Sequence, residues 1–272
     1  MKPVVSEIEV RLLLEAIYLK FHHDFRGYSS MSLRRRLTVA LGHFGCETVS
    51  ALQDKLLHEP QTFPTLLQFL TVQVSDMFRD PAFFKAFRER VVPELRTYPS
   101  FRIWVAGCSS GEEVYSVAIV LRECGIYDRA LVYATDINPV ALAKAESGIY
   151  ALDRIPGFAE NYRLSGGSGA LSDHYTAAYG SAAFDRSLRK NVVFSDHSLA
   201  TDNVFAEVQV VLCRNVLIYF DKALQERAIG LFKEALPRRG FLGLGSRETV
   251  QFSKSAESFR LLVPEERWYV RC

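Results

Sequence analysis

The chain has 272 residues, 49% hydrophobic and 24% charged, enough for a domain of moderate size and a smaller one, each with a packed core. A formal net charge of +2 excludes wholesale nucleic-acid binding, so any basic surface has to be local. No apolar run reaches membrane-spanning length, no signal-peptide pattern is present, and the five cysteines are scattered without a C-x-x-C pair. A cytoplasmic protein with free thiols, not inserted in a membrane, is the expectation.

The elements begin with helices. Ser6 and Glu9 have capping-box spacing, and Ile8, Val10, Leu12, Leu13, Ile17 and Phe21 follow as an amphipathic helix. A second helix is predicted over 32–41, with Leu33, Leu37 and Leu41 inward and Arg34, Arg35 and Arg36 fanned over its remaining face. Two more follow at 49–57 and 64–72. Residues 1–75 therefore read as an all-helical domain, and 76–272 as a second one.

Residues 74–81 read as a connector, and Pro81 sets the first turn of a helix running toward Val92. Phe101–Ala106 has the pattern of a strand buried on both faces. The small residues Gly107 to Gly111 make a turn, and Val114, Ala118, Ile119 and Leu121 then recur at helical spacing. Leu131–Asp136 repeats the strand pattern and ends on a lone acid, followed by a helix over 139–148. From 151 to 190 the rhythm lapses. Gly166-Gly-Ser-Gly169 is a turn, and 171–179 and 184–188 read as short antiparallel strands of an inserted β-subdomain.

Strands are then predicted at 191–194, 208–213, 241–245, 260–263 and 267–270, with a helix over 222–235. Such alternation predicts a Rossmann-like α/β sheet with parallel pairing. The six histidines have no ligand spacing, so no metal site is expected.

The turn after the first strand reads Gly-Cys-Ser-Ser-Gly-Glu-Glu, which is not the G-x-G-x-x-G of dinucleotide binding. Carboxylates stand where a pyrophosphate would sit. Asp136, at the tip of the next strand, is placed to accept hydrogen bonds from ribose hydroxyls. A nucleoside carrying positive charge fits such a turn better than a dinucleotide does, and S-adenosylmethionine is one.

Met77-Phe-Arg-Asp-Pro81, Ala106-Gly-Cys-Ser-Ser-Gly-Glu-Glu-Val-Tyr-Ser116, Ala134-Thr-Asp136 and Arg214-Asn-Val-Leu-Ile-Tyr-Phe220 occur in that order. With them the chain resembles the CheR-type chemotaxis receptor methyltransferases, over roughly residues 21–268. Taken singly, Glu113 reads as a helix-dipole acid, Asp136 as an N-cap, Arg79 as a surface charge and Tyr219 as core. The ordered set is specific.

The resemblance implies a class I methyltransferase fold with an N-terminal helical domain and an inserted antiparallel β-subdomain. It implies methyl transfer from S-adenosylmethionine to glutamate side chains of a chemoreceptor, with S-adenosylhomocysteine as product. By position, Gln73, Ser75, Arg79, Gly107, Glu113, Asp136, Ser198, Leu199, Arg214 and Asn215 are implied to bind the cofactor. Glu113 takes the methionyl amino group, Asp136 the ribose, and Ser198 and Leu199 the adenine. Arg79 and Tyr219 are implied nearest the transferring methyl.

The implied partners are acidic receptor helices, met by the helical domain through Arg34, Arg35 and Arg36, and a receptor tail peptide at the β-subdomain. The chain departs from the family pattern at Ser75, where Thr is common, at Ser198, where Asn is common, and at Gly245-Ser-Arg-Glu248, where many members read Gly-His-Ser-Glu.

Overall fold

The structure is a computed structural model that describes residues 5–272. The chain separates into two compact units. The first holds the residues through Gln73 with Ser198–Asn203 and Tyr219–Ala228, and the second holds Val74–His197, Val204–Ile218 and Ile229–Cys272.

Four helices build most of the first unit: α1 (Glu7–Phe21), α2 (Ser30–Phe44), α3 (Val49–His58) and α4 (Thr62–Leu70). Val10, Leu13, Leu14 and Ile17 form the buried stripe of α1. Ile8 and Leu12, predicted inward, face solvent instead. Ser6 stands at the N-cap without a side-chain capping bond. Glu9 keeps the Ser6 amide near its carboxylate and also accepts from the amide (3.1 Å) and hydroxyl (2.7 Å) of Ser50 at the start of α3.

On α2 the buried positions are Leu33, Arg36, Leu37, Ala40 and Leu41. Arg36 thus leaves the solvated face predicted for it, because 36 stands three residues after the inward Leu33 and four before the inward Ala40, on the same face. Arg34 is half-buried and Arg35 exposed.

In the second unit, α5 (Pro81–Ala86) and α6 (Val92–Leu95) are separated by a π-helical turn, Phe87–Val91. Pro93 lacks the N–H that would continue the α-helical ladder, which accounts for the irregularity in a helix read as continuous from sequence. The main sheet contains β1 (Phe101–Ala106), β2 (Ala130–Asp136), β6 (Val192–Asp196), β7 (Val210–Cys213), β8 (Phe241–Leu244), β9 (Phe259–Val263) and β10 (Trp268–Arg271). Its strand order is β6-β2-β1-β7-β8-β10-β9. Helices α7 (Glu112–Glu123), α8 (Pro139–Ser147) and α10 (Lys222–Ala235) connect its strands.

Pairing is parallel from β6 through β8. β10 runs antiparallel to both its neighbours, β8 and β9, contrary to an all-parallel expectation, since the few residues between β9 and β10 are too short for a crossover.

The Rossmann-like expectation therefore stands, and so does the inserted antiparallel sheet, whose order is β3-β5-β4. It consists of β3 (Ile149–Ala151), β4 (Tyr175–Ala178) and β5 (Ser181–Phe184). The strands predicted at 171–179 and 184–188 shrink to a hairpin turning at Tyr179-Gly180, because Leu171–His174 and Arg186–Arg189 wind into 3-10 turns. A helix absent from the sequence reading, α9 (Ile155–Leu164), precedes the hairpin. Its signal was the helical spacing of Ile155, Phe158 and Tyr162, all buried. Among the described residues no helix is long and apolar enough to cross a membrane.

Candidate active site

In an open α/β sheet, ligands bind outside the carboxyl ends of the strands where the strand order reverses. That place is β1, flanked by β2 and β7. Three segments leave the sheet there: Gly107–Gly111 after β1, Asp136 at the end of β2, and Arg214-Asn215 after β7.

The turn after β1 is held tightly. Gly107 and Cys108 donate to the Thr135 carbonyl at 2.8 and 2.9 Å, tying the turn to the end of β2. Gly107 has φ 72°, and a Cβ on it would come within 2.5 Å of Val216 Cγ2. Gly111 has φ 88°, and a Cβ there would meet Ala145 Cβ at 2.7 Å. At Gly107 a side chain would displace Val216 and be strained by the positive φ, and at Gly111 it would also press on the Ala145 backbone.

Asp136 is buried with two amides on its carboxylate, from Ser109 (2.8 Å to Oδ2) and Asn138 (3.0 Å to Oδ1). Burial pushes its carboxyl above the usual aspartate range, against these amides and that of Ile137. It does not cap α8. That role belongs to Asn138, whose Oδ1 accepts from Val140 and Ala141.

Glu113, in the first turn of α7, pairs with Arg214 (Nη1 to Oε2, 2.7 Å). The Arg214 guanidinium is 1% exposed, and its Nη2 also reaches the Arg79 carbonyl and Asp80 Oδ2, both at 2.8 Å. It lies over the Phe83 ring at 4.0 Å. Arg214 therefore fixes Glu113 and the connector together.

Asn215 adopts a left-handed φ of 60°, and its Oδ1 is buried with no hydrogen-bond partner among the described residues. Its amide donates to Glu248 Oε2 (2.9 Å), whose carboxylate also accepts from Val216 (2.8 Å), Ile218 (3.3 Å) and Gly245 (2.7 Å). Burial raises the Glu248 carboxyl despite these donors. The turn after β7 is thus wound around one acid.

Ser75 and Arg79 are on the connector, both partly exposed. Among the described residues the Arg79 guanidinium has no hydrogen bond or ion pair, while its carbonyl is held by Arg214. So Ser75, Arg79, Gly107, Glu113, Asp136, Arg214 and Asn215 belong to the second unit.

Gln73, Ser198, Leu199 and Tyr219 belong to the first unit. Ser198 donates its amide to Asp202 (2.9 Å), and its hydroxyl oxygen accepts from Ala200 (3.3 Å). Leu199 is buried. Gln73 donates to Thr71 Oγ1 at 3.1 Å. The Tyr219 carbonyl accepts from Ser29 at 2.7 Å, and the ring lies beneath Arg36.

Three supporting residues escaped sequence reasoning: Asp80 beneath Arg214, Glu248 inside the β7 turn, and Arg154 against Glu112 (2.6 Å). Asp80 and Glu248 lay in quoted motifs without assigned roles. Arg154 had no local signal, since its partners are at sequence separations of 42 and more.

Residues 73–265 match the family described as "CheR methyltransferase, SAM binding domain", and residues 8–71 match "CheR methyltransferase, all-alpha domain". A Pseudomonas putida KT2440 protein named as the methyltransferase Cher3 is 58% identical over 262 residues, covering 96% of each chain. The chemotaxis protein methyltransferase of Salmonella typhimurium LT2 is 31% identical, over 94% of this chain and 88% of its own. Chemotaxis protein methyltransferase 2 of Pseudomonas aeruginosa PAO1 is 31% identical, over 81% of this chain and 77% of its own.

Proposed function

The chain belongs to the CheR methyltransferase family, with S-adenosylmethionine as its cofactor, and we propose that it methylates glutamate side chains of a chemoreceptor or related signalling protein, giving glutamyl methyl esters. The observation that carries the reading is the pair of carboxylates, Glu113 and Asp136, at the carboxyl ends of the strands where the sheet order reverses. The residues present suit a cationic nucleoside. Two acids and the unpartnered Oδ1 of Asn215 are acceptors, matching ammonium and ribose donors and repelling phosphate.

When bound, the cofactor supplies an electrophilic methyl group on a sulfonium. The acceptor glutamate has a reference pKa of about 4.3 and is already ionised at neutral pH. No general base is required of the protein. Its task is to align acceptor oxygen with methyl carbon and to exclude water, from which effective molarities of ~10⁵ M or more arise. Opposite charges are neutralised as the methyl moves, so a dry, low-dielectric cleft favours the transfer.

Within that task Glu113 holds the amino group and Asp136 the ribose. Arg79, with no competing ion pair among the described residues, steers the incoming carboxylate without clamping it. Tyr219 is the second residue proposed for methyl transfer.

Acidic receptor helices are met by α2, whose Arg35 is exposed and whose Arg34 makes only a 3.5 Å contact to Glu7. The test is transfer of labelled methyl from S-adenosylmethionine to receptor fragments, with base-labile release as methanol. Label that resists base, or appears on another acceptor class, overturns the glutamate assignment.

A further inference from the structure

The connector Ser75–Asp80 carries two of the proposed site residues, and it is not a relaxed stretch of chain. Phe78 (φ 51°) and Asp80 (φ 56°) are both in the left-handed region that side chains other than glycine seldom occupy. Such a conformation persists only where the surroundings over-determine it.

Here every residue of the stretch is tied by a side chain from elsewhere in the second unit. Arg154 Nη2 donates to the Ser75 carbonyl and pairs with Asp76 Oδ1 (3.0 Å). Asn161 Nδ2 donates to the Met77 carbonyl (3.1 Å), and the Phe78 amide donates to Ser116 Oγ (2.8 Å). Arg214 takes the Arg79 carbonyl and the Asp80 carboxylate.

We infer that helix α9 of the insertion, with Arg154 at its N-cap, is a clamp on this connector, and that Arg154 and Asn161 are positioning residues that set the direction of Arg79. The inference rests on the assignment of Arg79 to methyl transfer. Arg154 suits the role because it is itself anchored. Its Nη1 lies 2.6 Å from Oε1 of the fully buried Glu112, and its guanidinium stacks 4.6 Å from the Phe158 centroid. Glu112 in turn accepts from Ser110 Oγ (2.7 Å), in the turn after β1. One guanidinium therefore joins the insertion, the connector and the cofactor turn.

A fork with several donors is needed to reach these acceptors at once, which lysine cannot supply. Without the clamp, only Ser116 and Arg214 hold Phe78 and Asp80 in the left-handed region, and Ser75–Met77 beside them are released, so the direction of the Arg79 side chain is no longer fixed.

The test uses the full chain with Arg154→Ala, Arg154→Lys, Asn161→Ala, and Arg163→Ala as a control on the same helix. The expected result for Arg154→Ala is a fall of about tenfold or more in kcat, since ångström-scale misplacement costs up to ~10²-fold, with most affinity for S-adenosylhomocysteine kept. Hydrogen exchange at the Phe78 amide should quicken in the Arg154 and Asn161 variants and not in Arg163→Ala. In an Arg79→Ala background, Arg154→Ala should cost nothing further, whereas a general loss of stability would multiply. Where Arg154→Ala fails to fold, Arg154→Lys and Asn161→Ala carry both readouts.

Unchanged Phe78 exchange in these variants, or losses that multiply with Arg79→Ala, overturns the clamp. A native protein that methylates no glutamate, yet whose Phe78 exchange responds as stated, overturns the functional reading and leaves the clamp standing.

Discussion

The guanidinium of Arg36 lies over the ring of Tyr219, 4.7 Å from its centroid, although the two are far apart in sequence. Around them, Arg36 Nη1 donates to the Leu70 carbonyl, Ser29 donates its amide to the Tyr219 carbonyl, and the Tyr28 ring meets Phe220 at 5.0 Å. The start of α2 therefore frames the segment that carries Tyr219. A buried cation over an aromatic face is worth about 1–2 kcal/mol. Arg36→Met keeps the apolar stem and removes the cation. Its expected outcome is a fall of roughly 5- to 30-fold in kcat, with product affinity unchanged in calorimetry. A variant with native turnover would separate Tyr219 from its support.

Arg79 is predicted to matter for turnover and little for cofactor retention. Arg79→Ala should bind S-adenosylhomocysteine nearly as well as the native chain while losing on the order of 10²-fold in methyl transfer. Paired calorimetry and labelled-methyl assays give the comparison. Equal losses in both would assign Arg79 to cofactor binding alone.

Cofactor affinity should be lost in acid sooner than an ordinary aspartate would dictate. In the proposed site Asp136 accepts ribose hydroxyls as a carboxylate, and burial raises its pKa above the reference of about 3.9. Affinity for S-adenosylhomocysteine then falls as pH drops through that raised value. The stability contribution of the same group runs oppositely, present at low pH and lost as pH rises through the folded-state pKa. Asp136→Asn should weaken binding by about 10- to 100-fold at neutral pH, the worth of hydrogen bonds to a charged group, and flatten the acid limb. Calorimetric titrations at several pH values read both effects.

Glu248→Gln should destabilise the fold by about 1–3 kcal/mol. Four amides converge on the carboxylate, and a glutamine would turn its own NH₂ toward some of them. Urea unfolding should show a lower midpoint at unchanged slope. A midpoint equal to the native one would mean the turn after β7 holds itself.

Arg35→Glu tests the basic face of α2, since Arg35 is its exposed arginine. The expected effect is a lower kcat/KM for receptor methylation at low salt that shrinks as salt rises, with transfer to a short uncharged acceptor peptide untouched. Salt-independent loss would point to packing instead of steering.

Most of the architecture was legible because it is written in local periodicity. Phe101–Ala106 is apolar on both faces, Glu112–Glu123 recurs at helical spacing, and Lys222–Ala235 begins and ends where its pattern does. Glu113, Asp136 and Arg214 were legible for another reason, being short motifs at fixed distances from buried strands. What stayed hidden depends on distant partners. Glu9 has capping-box spacing, and nothing local announces that Ser50 across the helical unit also donates to it. Arg36 looks like its two neighbours in sequence, and only the packing of α2 turns it onto Tyr219.

By itself, then, the sequence determined the helical and Rossmann-like layout, the turn suited to a cationic nucleoside, and the acids that flank it. Only the tertiary structure decided which charges are engaged with one another: Arg214 with Glu113 and Asp80, Glu248 with the β7 turn, and Arg154 with the connector. The physical reason is that periodicity reports which face of an element is buried. The partner of a buried charge is set by chain segments far apart in sequence, which meet only when the sheet and helices close over it.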